Sequence, residues 1–142
     1  RYKMPSHVNN IGNTVADVLN FLRSAYGDIE KSILFELRVI LNELILNAVK
    51  HGNHEDETKY VSIKAFVARG DKALIVVGDD GLGYDYRSIL YNNLNDDICN
   101  LNDIKETGRG ILIVKSLCEK VKFNNKGNMV CVVKKLSYDH DI

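Results

Sequence analysis

The segment "LNELILNAVKHG", residues 41–52, places Glu43, Asn47 and His51 at four-residue steps. In a helix such residues lie along one face, because each turn takes about 3.6 residues. A carboxylate can act as a base, and an uncharged amide oxygen can bind a cation. The column therefore predicts a helix face that lines a pocket. A solvent-exposed polar stripe on an amphipathic helix would give the same pattern.

The polar sector of this helix is narrow. At about 100° per residue, it spans roughly 100° of the helix circumference. Its members are Glu36, Glu43, Asn47, Lys50 and His51. The remaining surface is mostly apolar and includes Leu37, Ile40, Leu41, Leu44, Ile45, Leu46, Ala48 and Val49. A zinc site built on His51 and His54 is another alternative, but no third ligand lies at a suitable spacing.

The segment "VVGDDGLGYD" ends an apolar run with Asp79, Gly81 and Gly83. A carboxylate at the end of a strand can accept a hydrogen bond from an exocyclic amine. Glycines just beyond it allow the backbone to approach a flat ring closely. Turns use the same residue types, so an ordinary turn without a ligand is an equally good interpretation of this segment alone.

The segment "TGRGILIV" opens a third predicted helix with Gly108 and Gly110. Glycines leave peptide N–H groups bare at a helix start, where the helix dipole favours anions and phosphates bind readily. A glycine-rich helix start without a ligand would look the same. The pattern is neither a dinucleotide-binding G-x-G-x-x-G nor a P-loop, because no GK[ST] follows.

Hydrophobic periodicity predicts three helices that would position these residues. The first runs from about Ser6 to Tyr26. The second contains the polar column, with Asp28 as its N-cap and Gly52 as its stop. The third covers 110–121 and begins at the glycines of the third segment.

Three β-type runs accompany the helices, over 60–68, 72–80 and 128–136. The first two form a hairpin through "RGDK", and an "NNKGN" turn precedes the last. The polar stretch 80–110, rich in Asn and Asp, is long enough to be an active-site lid. The expected fold is a single α+β domain over 1–142. It is a two-layer sandwich of one mostly antiparallel sheet with helices on one face.

Composition excludes several classes of protein. The 142 residues are 45% hydrophobic and 27% charged, with a formal net charge of zero. No overall charge therefore recruits nucleic acid or an anionic membrane surface. No apolar stretch is long enough for a membrane span. Cys99, Cys118 and Cys131 lack metal-site spacing and fit free thiols in a reducing cytoplasm. The chain opens on Arg1, which suggests a piece of a longer protein.

The three segments, in this order, resemble the motifs of the Bergerat-fold ATPases, the superfamily of gyrase-type and histidine-kinase ATP-binding domains. "ELILNAVKH" resembles the N box, E-x-x-x-N-A-x-x-H, while "DDGLG" and "GRGILIV" resemble the two glycine boxes. Within the superfamily the chain is most similar to the anti-sigma-factor serine kinases of bacteria. The resemblance runs from about Met4 to Leu136, nearly the whole chain.

The resemblance implies a role for each motif. Asp79 would accept the adenine amino group, Asn47 would bind Mg²⁺, and Glu43 would orient or deprotonate the attacking hydroxyl. The backbone around Arg109 would bind the phosphates of ATP. The further residues that it places at the nucleotide are Lys50, His51, Gly81, Gly83, Thr107, Gly108, Gly110, Ile111 and Asn128. Asn128 is a departure, because kinases of this family often have Thr at that position.

Two functions are compatible with this resemblance. The first is a cytoplasmic serine/threonine kinase that phosphorylates an anti-anti-sigma factor and also holds a sigma factor inactive. The second is a nucleotide-responsive module, or the output domain of a larger signalling protein, that binds a partner without phosphorylating it. The presence of Glu43 favours the kinase, because a passive switch needs no base there. A homodimer, without direct contact to nucleic acid or membrane, is expected in either case.

Overall fold

The computed structural model describes residues 1–83, 85 and 106–138. Most of the predicted lid, within 80–110, lies outside these residues, as does Cys99. The described strands form one antiparallel sheet in the order β1-β2-β3-β5-β4. They are β1 (Tyr2–Pro5), β2 (Tyr60–Ala68), β3 (Lys72–Gly78), β4 (Lys120–Phe123) and β5 (Met129–Lys135).

Three α-helices pack on one face of this sheet: α1 (Ile11–Tyr26), α2 (Lys31–Asn47) and α3 (Glu106–Leu117). The apolar side chains of α2 and the inward residues of the central strands are buried together. The largest buried side chains of this core include Leu22, Ile33, Leu37, Ile40, Leu41, Ile45, Ile63, Ile75 and Ile111. The predicted α+β sandwich, with its helices on one face, is confirmed.

The predicted hairpin is also confirmed, with β2 at its expected bounds and β3 ending at Gly78 rather than residue 80. The chain reverses through 69–71, where Gly70 and Asp71 have φ angles of 79° and 56°. Glycine adopts this left-handed region without steric cost, and Asp tolerates it better than most residues. The closing strand, predicted over 128–136, is likewise observed as β5.

The N-terminal helix begins later than predicted, at Ile11 instead of Ser6. A short 3₁₀ turn, Val8–Asn10, precedes it, and the His7 imidazole accepts a hydrogen bond from the Asn9 N–H at 3.0 Å. Residues Tyr2–Pro5 were not predicted to be a strand. They form β1 because they pair with the first residues of β2.

The bounds of the other two helices also differ from the prediction. Asp28 is not the N-cap of α2. The helix begins at Lys31, after the capping position Glu30, whose side chain makes no cap bond. Helix α3 begins at Glu106, upstream of the glycines, and ends at Leu117. The end of the predicted third helix is instead the start of β4, which pairs with β5.

The two described cysteines, Cys118 and Cys131, are free and half-buried. Burial raises the pKa of the Cys118 thiol to about 12, because an apolar environment disfavours the thiolate. In the described part of the chain, no helix is long and apolar enough to cross a membrane.

Candidate functional site

Asn47 is the last residue of α2, where the helix widens into a π-helical turn, Ala48–Gly52. Turns of this kind are uncommon and often occur at functional sites. The Asn47 side chain is 6% exposed, and its Nδ2 has no hydrogen-bond partner within the protein. A buried, unpaired amide costs roughly 1–3 kcal/mol. A ligand oxygen in the adjacent cleft would remove this cost.

Glu43 lies one turn before Asn47 and is half-buried between α2 and α3. Its carboxylate lies directly against Gly110 of α3. A Cβ atom added at Gly110 would be only 2.2 Å from Oε2 of Glu43. The absence of a side chain at Gly110 therefore gives this carboxylate its position. The structure brings the first motif and the third motif together at this contact.

Asp79 follows the last residue of β3, and the fold holds it by its backbone and by its carboxylate. The Asp79 N–H donates to the Asn128 carbonyl at 2.9 Å, and Oδ1 accepts from the Gly81 N–H at 2.8 Å. Burial raises the pKa of Asp79, and nearby Asp80 adds to this, while the Gly81 hydrogen bond opposes it. A partly desolvated carboxylate of this kind is typical of a ligand-binding position.

Glycines allow the turn after β3 to pack closely on its neighbours. A Cβ atom at Gly52 would lie 2.3 Å from the Asp79 carboxylate, and one at Gly81 would lie 2.1 Å from the Gly52 carbonyl oxygen. Gly83 has a φ of 97°, and a Cβ there would be 1.7 Å from the Lys126 carbonyl oxygen. Because these contacts leave no room for side chains, the turn is fixed against the π-helical turn and against the turn before β5.

A cleft joins Asn47 to Asp79. Its walls are mostly apolar, with polar groups at a few positions, as is usual for small-molecule sites. The lining residues are Leu44, Asn47, Ala48, Val77, Asp79, Ile111, Phe123, Gly127, Asn128, Met129 and Val130. Four predicted site residues thus line one cleft: Asn47, Asp79, Ile111 and Asn128.

Lys50, His51 and Arg109 are not among the described residues that line this cleft. Lys50 and Arg109 are exposed, and His51 is half-buried. Thr107 and Gly108 lie in the first turn of α3, where the first N–H groups of a helix have no intrahelical acceptor. Because α3 begins at Glu106, Gly110 lies just beyond that turn, and its contact is with Glu43.

Asn128, the departure from the family pattern, forms hydrogen bonds with its side chain to two neighbouring turns. Its Oδ1 accepts from the Asn124 Nδ2 at 2.7 Å, and its Nδ2 donates to the Gly81 carbonyl at 3.4 Å. The amide therefore links the turn before β5 to the turn after β3. A threonine hydroxyl would be too short to make both contacts.

Sequence reasoning missed Asn53, which is fully buried and joins four separate segments. Its Nδ2 donates to the Ser6 hydroxyl at 2.7 Å and to the Tyr60 carbonyl at 3.0 Å, and its Oδ1 accepts from the Asp80 N–H at 2.8 Å. These bonds hold the residue next to Asp79 in place. The only sequence signal was an Asn directly after the helix stop, which is also typical of a turn.

The chemistry of the cleft fits Mg²⁺-ATP. In the described residues no group of three His, Cys, Asp or Glu side chains could hold a metal ion. Mg²⁺ needs no such cage, since it takes few protein ligands and is otherwise bound by phosphate oxygens and water. The Asn47 amide would bind it through Oδ1 or donate Nδ2 to a phosphate oxygen. The apolar walls beside Asp79 suit a flat ring with an amino group.

Comparison with protein families places residues 4–134 in the family described as "Histidine kinase-like ATPase domain". The serine-protein kinase RsbW of Bacillus subtilis is 26% identical over 147 residues, covering 96% of this chain and 85% of that protein. RsbW of Staphylococcus epidermidis is 26% identical over 134 residues, covering 90% and 79%. RsbW of Staphylococcus aureus is 28% identical over 116 residues, covering 81% and 70%.

Among solved structures, the blue-light activated histidine kinase of Erythrobacter litoralis EL346 has the same fold. Its TM-score is 0.56 at 17% identity, and the match covers 93% of this chain and 43% of that one. The separate histidine kinase domain of that protein gives 0.55 at 19% identity, covering 93% and 61%. The fold match is therefore to one part of a longer protein.

Proposed function

This chain belongs to the histidine kinase-like ATPase domain family, and from that premise we propose that it is an ATP-dependent protein serine/threonine kinase. Its protein substrate would be an anti-anti-sigma factor. It would also bind a sigma factor and hold it inactive. The similarity to proteins named serine-protein kinase RsbW, over most of each chain, supports this proposal.

One observation carries the proposal more than any other. Glu43 and Asn47 lie one turn apart on α2, and Asn47 lines the same cleft as Asp79. The Nδ2 of Asn47 has no hydrogen-bond acceptor within the protein, and a bound nucleotide would supply one. The site thus contains the three groups that phosphoryl transfer from ATP would use. Glu43 is the base, Asn47 the ligand for metal or phosphate, and Asp79 the acceptor for the adenine amine.

Each residue has a distinct task in this proposal. Asp79 accepts a hydrogen bond from the adenine amino group with the carboxylate oxygen that Gly81 leaves available. Asn47 positions the phosphates, directly or through Mg²⁺. Glu43 would orient the serine or threonine hydroxyl of the partner and accept its proton as that oxygen attacks the γ-phosphorus of ATP, with the bond to the β-phosphate breaking and ADP leaving. Mg²⁺-ATP, when bound, supplies the phosphoryl group.

The wider assignment is part of the same proposal. The cofactors are ATP and Mg²⁺, and the partners are a sigma factor and an anti-anti-sigma factor. Residues 1–142 act as a single domain, located in the cytoplasm and paired as a homodimer. No direct contact with nucleic acid or membrane is needed for this function.

The test compares two variants on α2. Glu43→Gln keeps the size of the side chain but removes the proton acceptor, so ATP affinity should stay within a few-fold. Phosphoryl transfer should fall on the order of 10²–10⁴-fold. Asn47→Ala should weaken Mg²⁺-ATP binding itself. The measurements are calorimetry for binding and radiolabel incorporation into an anti-anti-sigma factor from the same organism.

Asn42→Ala, at an exposed position of the same helix, is the control and should change neither quantity. Undiminished transfer by Glu43→Gln would remove Glu43 from the mechanism. A parent protein that binds ATP and the sigma factor but never transfers phosphate would instead be a nucleotide-responsive binding module. A parent that binds no ATP would exclude both functions.

A further inference from the structure

The sheet has a second face, on the side away from the helices. The alternation of side chains and the strand register define its members. Leu74 of β3 is paired with Phe66 of β2 and with Val133 of β5. The next outward row pairs Val76 with Cys131 of β5. In the described part of the chain, the helices pack against the opposite face.

The centre of this outer face is apolar. Phe66 is 53% exposed and Met129 is 47% exposed, while Leu74, Val76 and Val133 are half-buried between their neighbours. The solvated face of an antiparallel sheet usually carries polar residues in alternation with the buried ones. A contiguous apolar strip across β2, β3 and β5 is characteristic of a binding surface.

Lysines surround the apolar strip on several sides. They are Lys3 on β1, Lys64 on β2, Lys72 on β3, Lys120 and Lys122 on β4, and Lys135 on β5. Lys3 also lies over the Tyr60 ring on this face, 4.9 Å from its centroid. Exposed faces normally mix charges of both signs. The five strands contain no Asp or Glu at all, although the whole chain has 19 acidic and 19 basic residues.

We propose that this outer face, an apolar strip bordered by lysines, is a docking surface for an acidic protein that presents apolar side chains within a ring of carboxylates. Complementary charge would orient such a partner, and the buried apolar centre would hold it. The surface lies across the sheet from α2, so this binding goes beyond the nucleotide chemistry and does not require it.

The composition of the face favours this partner over others. A second copy of the chain packed face to face would bring lysines against lysines, which is unfavourable. Nucleic acid is bound largely through Arg and Lys contacts to phosphates, which would leave the apolar strip at the centre of this face without a partner. Membrane binding requires apolar side chains that reach beyond the charged ones, whereas Leu74, Val76 and Val133 are half-buried between their neighbours.

The probe is a synthetic peptide with glutamates flanking a Leu-Phe-Val centre, compared with the same peptide carrying glutamine in place of glutamate. Binding is followed by amide shifts of the ¹⁵N-labelled full chain. We expect shifts centred on β2, β3 and β5, an affinity about tenfold or more higher for the glutamate peptide, and weakening with added salt.

Matched variants distinguish binding at the outer face from nonspecific electrostatic attraction to the whole protein. Lys64→Glu with Lys122→Glu should reduce affinity about tenfold or more. The control, Lys31→Glu with Arg38→Glu, changes net charge equally at exposed positions of α2 and should have little effect. Phe66→Ser should weaken binding, whereas Phe35→Ser, a 66% exposed phenylalanine on α2, should not.

Several results would overturn the proposal. One is no binding of the glutamate peptide, and another is shifts that map away from the outer face. Equal loss of affinity in the control variants would show nonspecific attraction. Sedimentation showing a dimer that Phe66→Ser dissociates would assign the face to a second copy. Preferential binding of anionic phosphatidylglycerol vesicles, or of a DNA duplex, through the same lysines would assign it to a membrane or to nucleic acid.

Discussion

Burial raises the pKa of Asp79 above its ordinary value of 3.8. The proposed contact with an adenine amine needs the ionised carboxylate, which is the form that the fold accommodates less well. A carboxyl whose pKa is raised by folding favours the folded state below its unfolded pKa. That advantage is lost as pH rises through the folded pKa. At neutral pH the Asp79 charge therefore lowers the stability of the nucleotide-free protein.

Asp79→Asn should separate binding from stability. The amide oxygen can still accept from the Gly81 N–H, so the unfolding temperature at neutral pH should be equal or higher. ATP affinity should fall about ten- to a hundredfold, because a hydrogen bond to a charged group is worth roughly 1.5–3 kcal/mol. Calorimetry and thermal unfolding measure the two quantities.

The control for this prediction is Asp56, whose pKa is shifted in the opposite direction to that of Asp79. Hydrogen bonds from the Thr58 hydroxyl and N–H lower the pKa of Asp56, so Asp56→Asn should not stabilise the protein and should leave ATP binding unchanged. The difference in stability between Asp79→Asn and the parent should grow as pH rises above 3.8. An Asp79→Asn variant that binds ATP as tightly as the parent would contradict the assignment of this carboxylate to the adenine.

Residue types and spacing pointed to Asn47 and Asp79, which line the cleft, because each motif carries its chemistry in sequence order. Ile111 and Asn128, which also line it, were expected only from the family resemblance. The contacts between motifs could not be predicted. Gly110 was expected at a phosphate, yet it lies against Glu43, since the crossing of two helices is set by tertiary packing. Asn53 was missed for the same reason. Its partners, Ser6, Tyr60 and Asp80, are scattered along the chain and meet only in the fold.

At the level of elements, the crossing of α2 and α3 predicts an unusual response to Gly110→Ala. Alanine is better than glycine in a helix by roughly 0.5–1 kcal/mol, and the clash is with the far end of the Glu43 side chain, which can change its rotamer. The unfolding temperature should therefore be unchanged or higher. Phosphoryl transfer should fall on the order of 10²-fold, because the carboxylate is displaced from its position.

Gly12→Ala in α1 is the matched control, because a Cβ atom there meets nothing within 4 Å. It should leave transfer unchanged. Radiolabel incorporation measures phosphoryl transfer by both variants, and thermal unfolding measures their stability. Full transfer activity in Gly110→Ala would show that the position of Glu43 does not matter, whereas a large loss of stability would show that the helices cannot adjust.

The long helices and strands could be predicted from their hydrophobic periodicity, whereas the short strands could not. Helix α2 and strands β2, β3 and β5 carry enough apolar residues to reveal their period. Strand β1 has only four residues and ends at Pro5, and it owes its conformation to pairing with β2. The first two residues of strand β4, 120–121, were predicted as the end of a helix, because Val121 continues the apolar pattern of α3. Its pairing with β5 overrides that local pattern.

For the molecule as a whole, the Asn53 hydrogen bonds link the end of β1, the end of the π-helical turn, the start of β2 and the turn after β3. Asn53→Ala should lower the free energy of unfolding by about 1–3 kcal/mol or more, since buried partners lose their bonds. ATP affinity should fall as well, because Asp80 and its neighbour Asp79 lose their anchor.

Asn53→Asp keeps the acceptor for the Asp80 N–H but loses both donors, so it tests which bonds matter. It should restore little of the stability. Asn20→Ala, exposed on α1, is the control and should change neither stability nor binding. Denaturant unfolding and calorimetry are the measurements. Parent-like stability in Asn53→Ala would mean that the four segments are held together by their apolar contacts alone.

The strand order has a consequence for synthesis of the chain on the ribosome. Strand β5 lies between β3 and β4, although it follows every other described strand in the sequence. Until residues 129–135 have left the exit tunnel, one edge of β3 has no partner and β4 has no strand to pair with. At about 5–20 residues per second, this nascent edge persists for seconds. The sheet is thus completed only after β5 has emerged, when a chaperone has had time to bind the open edge.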